Sequence, residues 1–99
     1  MLTMSRLSRE YVFLDVTTPN DLAGATAEVA FIGTPEGIPA PADWEAATLL
    51  LATTWRIRVL VGPGHLDAVE LSPGDYQVWA KITDSPEMPV RRVGVLVIE

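Results

Sequence analysis

Apolar and polar residues alternate with a period of two along most of this chain, and that pattern predicts strands. The clearest stretch is 76–83, where Tyr76, Val78, Ala80 and Ile82 point one way and Gln77, Trp79, Lys81 and Thr83 the other. Residues 10–17 alternate as Tyr11, Phe13 and Asp15 against Val12, Leu14 and Val16. Both faces hold apolar residues, so this strand is expected to be covered on both, with Asp15 as an edge charge that blocks further pairing. In 25–32, Ala27, Val29 and Phe31 are expected inward, and the strand is expected to pair with the first or the last. Residues 48–61 read as one long β-rich segment with Trp55, Ile57, Val59 and Val61 on one face and Arg56, Arg58 and Leu60 on the other. Its leading run, 49–52, fits a helix or a strand equally. A short strand over 66–71 and a last one over 93–98, paired with 76–83 as a hairpin, bring the count to six or seven.

Turn chemistry separates these stretches. Ser72-Pro73-Gly74-Asp75 reads as a type II turn, because Pro73 presets its own φ and Gly74 supplies the positive φ required at the third position. A tight turn followed by Tyr76 predicts a tyrosine corner, in which the hydroxyl bonds back to the backbone upstream. Val78 then stands where antibody domains carry a cysteine. The implied fold is all-β, an immunoglobulin-like antiparallel sandwich over residues 10–99, with residues 1–9 as a flexible N-terminal arm. Three prolines and two glycines in 33–43 exclude a central strand or a helix interior there. Asp43 is expected to N-cap one helical turn over 43–47. Trp44 is read either as a plug that packs this loop on the core or as an anchor for a partner. Two prolines stiffen 83–90, and Gly94 is expected to admit a neighbouring backbone or ring.

The 99 residues suffice for one domain, with a core that needs no staples. There is no cysteine, hence no disulfide and no thiolate chemistry. The net charge of −6, spread along the chain, argues against a nucleic-acid surface. No apolar run is long enough to span a membrane as a helix. Arg56 and Arg58 are expected to pair with cross-strand carboxylates such as Glu28 or Glu70, or else to meet an acidic partner.

No arrangement of residues marks catalysis or a cofactor. His65, the only histidine, has Asp67 two residues on and no second ligand, so neither a zinc site nor a nucleophile–base pair is indicated. A loose cation site at Asp84 and Glu87 lacks the oxygens that calcium wants. Metal and cofactor sites are therefore not expected, and the chain reads as no enzyme.

Four stretches together resemble a family of small proteins of tailed phages and prophages of actinobacteria. They are Pro-Ala-Pro-Ala-Asp-Trp at 39–44, Arg-Val-Leu-Val-Gly-Pro-Gly at 58–64, Leu-Ser-Pro-Gly-Asp-Tyr-Gln-Val-Trp at 71–79 and Thr-Asp-Ser-Pro-Glu-Met-Pro-Val-Arg-Arg at 83–92. The resemblance implies an immunoglobulin-like, non-catalytic virion component, assembled in the bacterial cytoplasm as a capsid decoration or in the head–tail connector region. It carries over no functional residues. Its partners would be capsid, connector or tail proteins in multiple copies, and further copies of itself. Loops 33–44 and 83–90 would make the contacts, anchored by Ile38 and Met88, with Trp44, Trp79, Glu87, Arg91 and Arg92 as further candidate contacts. The competing reading is a carbohydrate- or surface-binding module that uses Trp44 or Trp79 as a stacking platform.

Overall fold

The alternating stretches become strands in a computed structural model, which describes residues 2–16, 22–33, 37–51, 55–84 and 87–99. The strands are β1 (Leu2–Met4), β2 (Glu10–Val16), β3 (Thr26–Gly33), β4 (Trp44–Leu51), β5 (Trp55–Val61), β6 (Gly74–Thr83) and β7 (Val90–Ile98), with a 3-10 turn at Pro41–Asp43. The described residues are thus all-β, without an α-helix. They form one sheet in the order β1-β7-β6-β3-β4-β5-β2. It is mixed, since β1 lies parallel on β7 while every other neighbouring pair is antiparallel. The sheet curls into a half-barrel. β4 carries much of the curl, because its first half (Trp44 to Ala47) pairs with β3 and its second half (Thr48 to Leu51) with β5.

The curl brings the inward faces together. Val12, Ala27, Val29, Ile57, Val59, Val61, Val78, Ala80, Ile82, Leu96 and Ile98 are buried in one cluster, with Leu14, Val16, Phe31, Trp55 and Tyr76 packed against it. Ile57, Leu96, Val29 and Val61 are wholly enclosed. Side chains of this size contribute about 1.5–3 kcal/mol each when fully buried. The inward sets of 76–82, 27–31 and 55–61 are those that the alternation predicts.

The turn before β6 holds the predicted ring. The Tyr76 hydroxyl donates to the Ser72 carbonyl oxygen at 2.7 Å. Gly74 does take a positive φ, but at 151°, well beyond the roughly +80° of a type II turn. The ring's bond to Ser72 spans that bend.

Several expectations change. Residues 1–9 were expected as a loose arm; instead β1 pairs Leu2 to Leu96 and Met4 to Ile98. Met4 is buried, and hydrogen bonds Glu99 N–H to Met4 O (2.9 Å) and Arg6 N–H to Glu99 O (2.8 Å) extend the ladder. The alternation in 1–9 is too short to reveal this, since three residues do not define a period. The chain then crosses the β5 end at Gly62, whose missing side chain leaves room for the backbone of Ser8 and Arg9.

The segment 48–61 divides into two antiparallel strands, and 49–51 belong to β4. Position 52, the last of that ambiguous run, lies outside the described residues. β3 pairs with β4 and β6, not with the first or last strand. The stretch 66–71 is not a strand: only Val69 makes a bridge, to Val61, and Leu66 is fully in solvent. Asp43 caps in the reverse sense to that expected. It ends the 3-10 turn and its carboxylate accepts the Ala40 N–H at 2.7 Å, after which 44–47 run as strand. Gly94 pairs with Val78, but nothing approaches the place of its absent side chain.

Candidate interaction surfaces

Strand direction decides which loops share an end of the molecule. β3 starts beside Thr83 and finishes beside Tyr76. Residues 37–43, which follow β3, therefore lie at one pole, with 5–9 and 62–73, and Asp84 and 87–89 lie at the other. Along β3 the two poles are about 23 Å apart, at the usual strand rise. The two loops expected to make contacts thus face opposite ways. Each presents an apolar side chain: Ile38 is 80% exposed at the first pole and Met88 56% exposed at the second. Both sit on braced turns. The Ile38 loop is held by the Asp43 carboxylate, and the Met88 loop by paired backbone bonds between Asp84 and Glu87, each 2.9 Å.

Trp44, Trp79 and Arg92 belong to a third place, the outer face of the sheet. Trp79 stands opposite Ala30 on one side and Arg92 on the other, and Ala30 stands opposite Trp44. The row across the sheet is therefore Arg92, Trp79, Ala30, Trp44. Both indoles are partly buried, and Ala30 is wholly covered although it points away from the core. The Lys81 ammonium lies 4.6 Å from the centre of the Trp44 ring and 3.5 Å from the Glu28 carboxylate. Trp44 is thus neither a plug in the main core nor a free anchor; it roofs the outer face of β3. The Trp79 Nε1–H is buried without a hydrogen-bond partner among the described residues, an arrangement that costs about 1–3 kcal/mol unless a partner supplies an acceptor.

Glu87 and Arg91 converge on a groove of about 290 Å³ at the second pole, between β2 and β7. Its floor includes Leu14, Val16 and Ile82, and Asp15 and Asp84 join its rim. Arg92 points to the opposite face from Arg91, so the two adjacent arginines serve different surfaces.

One surface has no counterpart in the sequence reading. Tyr11 and Phe13, expected under a second layer, are 51% and 48% exposed. Arg58 and Arg56 of β5 stack on them, at 4.4 and 5.6 Å from the ring centres. Arg56 also pairs with Asp15 at 2.9 Å, and Glu28 goes to Lys81; neither arginine meets Glu28 or Glu70. A signal was present in the chain, since residues 56 and 58 share the outward parity of β5 and would face outward residues of any partner strand.

His65 and Asp67 do not form an acid–base pair. The Asp67 backbone N–H donates to the His65 Nδ1 at 3.1 Å, and both side chains lie in solvent. Among the described residues no three His, Asp or Glu side chains gather as metal ligands would. The chain matches no protein-family model, no curated protein and no solved structure.

Proposed function

We propose that this chain is a non-catalytic accessory subunit of a tailed-phage particle, acting at the capsid surface or the head–tail connector region, and that its strands make an immunoglobulin-like sandwich. The pairing supports the fold reading. In such sandwiches the second strand pairs with the fifth, the third with the sixth, and the sixth with the seventh. The same relations hold here for β2 with β5, β3 with β6 and β6 with β7. The divided pairing of β4 is where one layer would pass into the other, and the Tyr76 bond to Ser72 is the corner that accompanies this fold.

The functional reading rests on the four phage-like stretches and on one observation. Exposed apolar tips stand on braced loops at opposite poles of an acidic body. Loops on a rigid scaffold commonly carry binding, and two opposed tips suit a subunit that bridges neighbours. Symmetric copies of a partner would add avidity to each weak contact. The test is mass spectrometry of particles purified from an induced host that carries this gene. The chain should be present at a fixed ratio to the capsid or connector protein, and Ile38→Asp or Met88→Asp should lower that ratio. A chain that stays in the soluble fraction, absent from washed particles, would refute the reading.

The row of Trp79, Ala30 and Trp44 favours a second reading, a carbohydrate-binding face, because two partly exposed indoles share one side of the sheet. Titration with oligosaccharides should then shift tryptophan emission, and Trp79→Ala should abolish the shift. Unchanged emission across a broad glycan panel would remove this alternative.

A further inference from the structure

β2 is the terminal strand of the sheet, and nothing described blunts its outer edge. Its seven residues keep unbroken register with β5, from Glu10 opposite Val61 to Val16 opposite Trp55, without a proline or a bulge. The outer edge of β7 differs: a bulge opposite Val78 and Trp79 interrupts it, and β1 covers its end. Bulges, prolines, lysines and covering strands are the usual means of preventing edge-to-edge pairing. Of the two charges in the β2 run, Glu10 stands at its first position and Asp15 is already paired with Arg56. Unpaired backbone groups and the exposed rings of Tyr11 and Phe13 are therefore presented together.

We infer that β2 pairs with β2 of a second copy, antiparallel, about a two-fold axis at Phe13. A two-fold interface requires a surface complementary to itself, and this edge meets that requirement. Only one antiparallel register engages all seven residues. It sets Glu10 opposite Val16, Tyr11 opposite Asp15, Val12 opposite Leu14 and Phe13 opposite its own copy. No carboxylate faces another carboxylate, and each Asp15 meets a tyrosine that can donate to it. The central Phe13 pair is an aromatic cross-strand contact of the kind that stabilises sheets, flanked on each side by Arg58. The two half-barrels would share one continuous sheet. This inference is independent of which particle or glycan the chain binds.

The absence of native cysteine makes single-cysteine mapping clean. Facing residues of antiparallel strands have Cα atoms about 4.5–5.5 Å apart, within disulfide reach. Phe13→Cys should form an intermolecular disulfide under mild oxidation. Tyr11→Cys and Asp15→Cys should each stay uncoupled alone and couple to one another when mixed. The unmodified chain should sediment at twice its monomer mass, and Phe13→Lys at the monomer mass with its β-type circular dichroism intact. A chain that sediments as a monomer at its highest soluble concentration overturns the inference. So does a Phe13→Cys protein that remains uncoupled, or a Tyr11→Cys protein that couples to itself.

Discussion

The hydroxyl of Tyr76 reaches back four residues to the carbonyl oxygen of Ser72, 2.7 Å away. It spans the bend between the 62–73 loop and β6, which lies between β7 and β3 in the sheet. Tyr76→Phe keeps the ring against the core and removes only this bond. A hydrogen bond of this kind contributes about 1 kcal/mol net, which in a domain of this size lowers Tm by about 4–8 °C. Thermal unfolding followed by circular dichroism measures it. A Tm unchanged by the substitution would mean that the bend is held elsewhere.

Glycines at three positions should respond differently to alanine. At Gly62, φ is 136° and an added Cβ would overlap the backbone of Ser8 and Arg9. The conformation alone costs about 1–3 kcal/mol for a residue with a side chain, and the overlap adds to it, so Gly62→Ala should be among the most damaging single changes. Gly74→Ala bears the conformational cost without any overlap, since nothing lies near its Cβ site. Gly94 has an ordinary strand φ and open space. Gly94→Ala should therefore stabilise β7, by about 0.5 kcal/mol, through the smaller entropy lost on folding. Urea denaturation of the three proteins gives the order directly.

Trp79→Phe removes the buried, unpartnered Nε1–H and keeps most of the roof over Ala30. The lost area and the relieved polar group oppose one another, and the net change in stability should lie within about 1 kcal/mol. If a partner accepts from that N–H, the same substitution weakens binding by about tenfold or more while the unfolding curve hardly moves. Comparing unfolding with incorporation into particles separates the two effects.

Ile38→Asp and Met88→Asp alter side chains already in solvent. Each should change stability by no more than about 0.5 kcal/mol. Because the two tips lie at opposite poles, their effects on assembly should be independent, and the double variant should lose as much as the two singles combined. A double variant no worse than one single would place both tips on the same contact.

Arg56→Ala removes an ion pair with Asp15 whose two side chains are 45% and 67% exposed. Such pairs contribute about 0–1 kcal/mol, so monomer stability should barely respond. High salt should be equally inconsequential for the monomer.

Parity along each strand was legible from the residues alone. Val78, Ala80 and Ile82 form an inward face because alternate side chains of a strand must point to opposite sides, and no distant part of the chain is needed to know it. What covers a face is a different matter. Apolar residues fall on both sides of β2 and on both sides of β3, so the pattern of β2 predicts a second cover there. The structure roofs β3 instead, because β6 sets Trp79 across from Ala30 and β4 sets Trp44 on its other flank. Tyr11 and Phe13 have each other and two arginines beside them, and both stay about half exposed. That distinction depends on which strands become neighbours, a long-range outcome that period and propensity do not encode. The same holds for β1, whose three residues find their partner in the last strand of the chain, and for the groove where Asp15 and Asp84 meet Glu87 and Arg91.

The parallel pairing of β1 with β7 bears on mechanical load. Force applied backward through Leu2 and forward through Ile98 runs along the two strands in opposite directions, so it slides them past one another. In that geometry the connecting bonds share the tension and must rupture together, whereas strands peeled from one end would give way one bond at a time. The two ends of the fold are thus clamped in shear, an arrangement that resists stretching between them more than heat or denaturant would reveal.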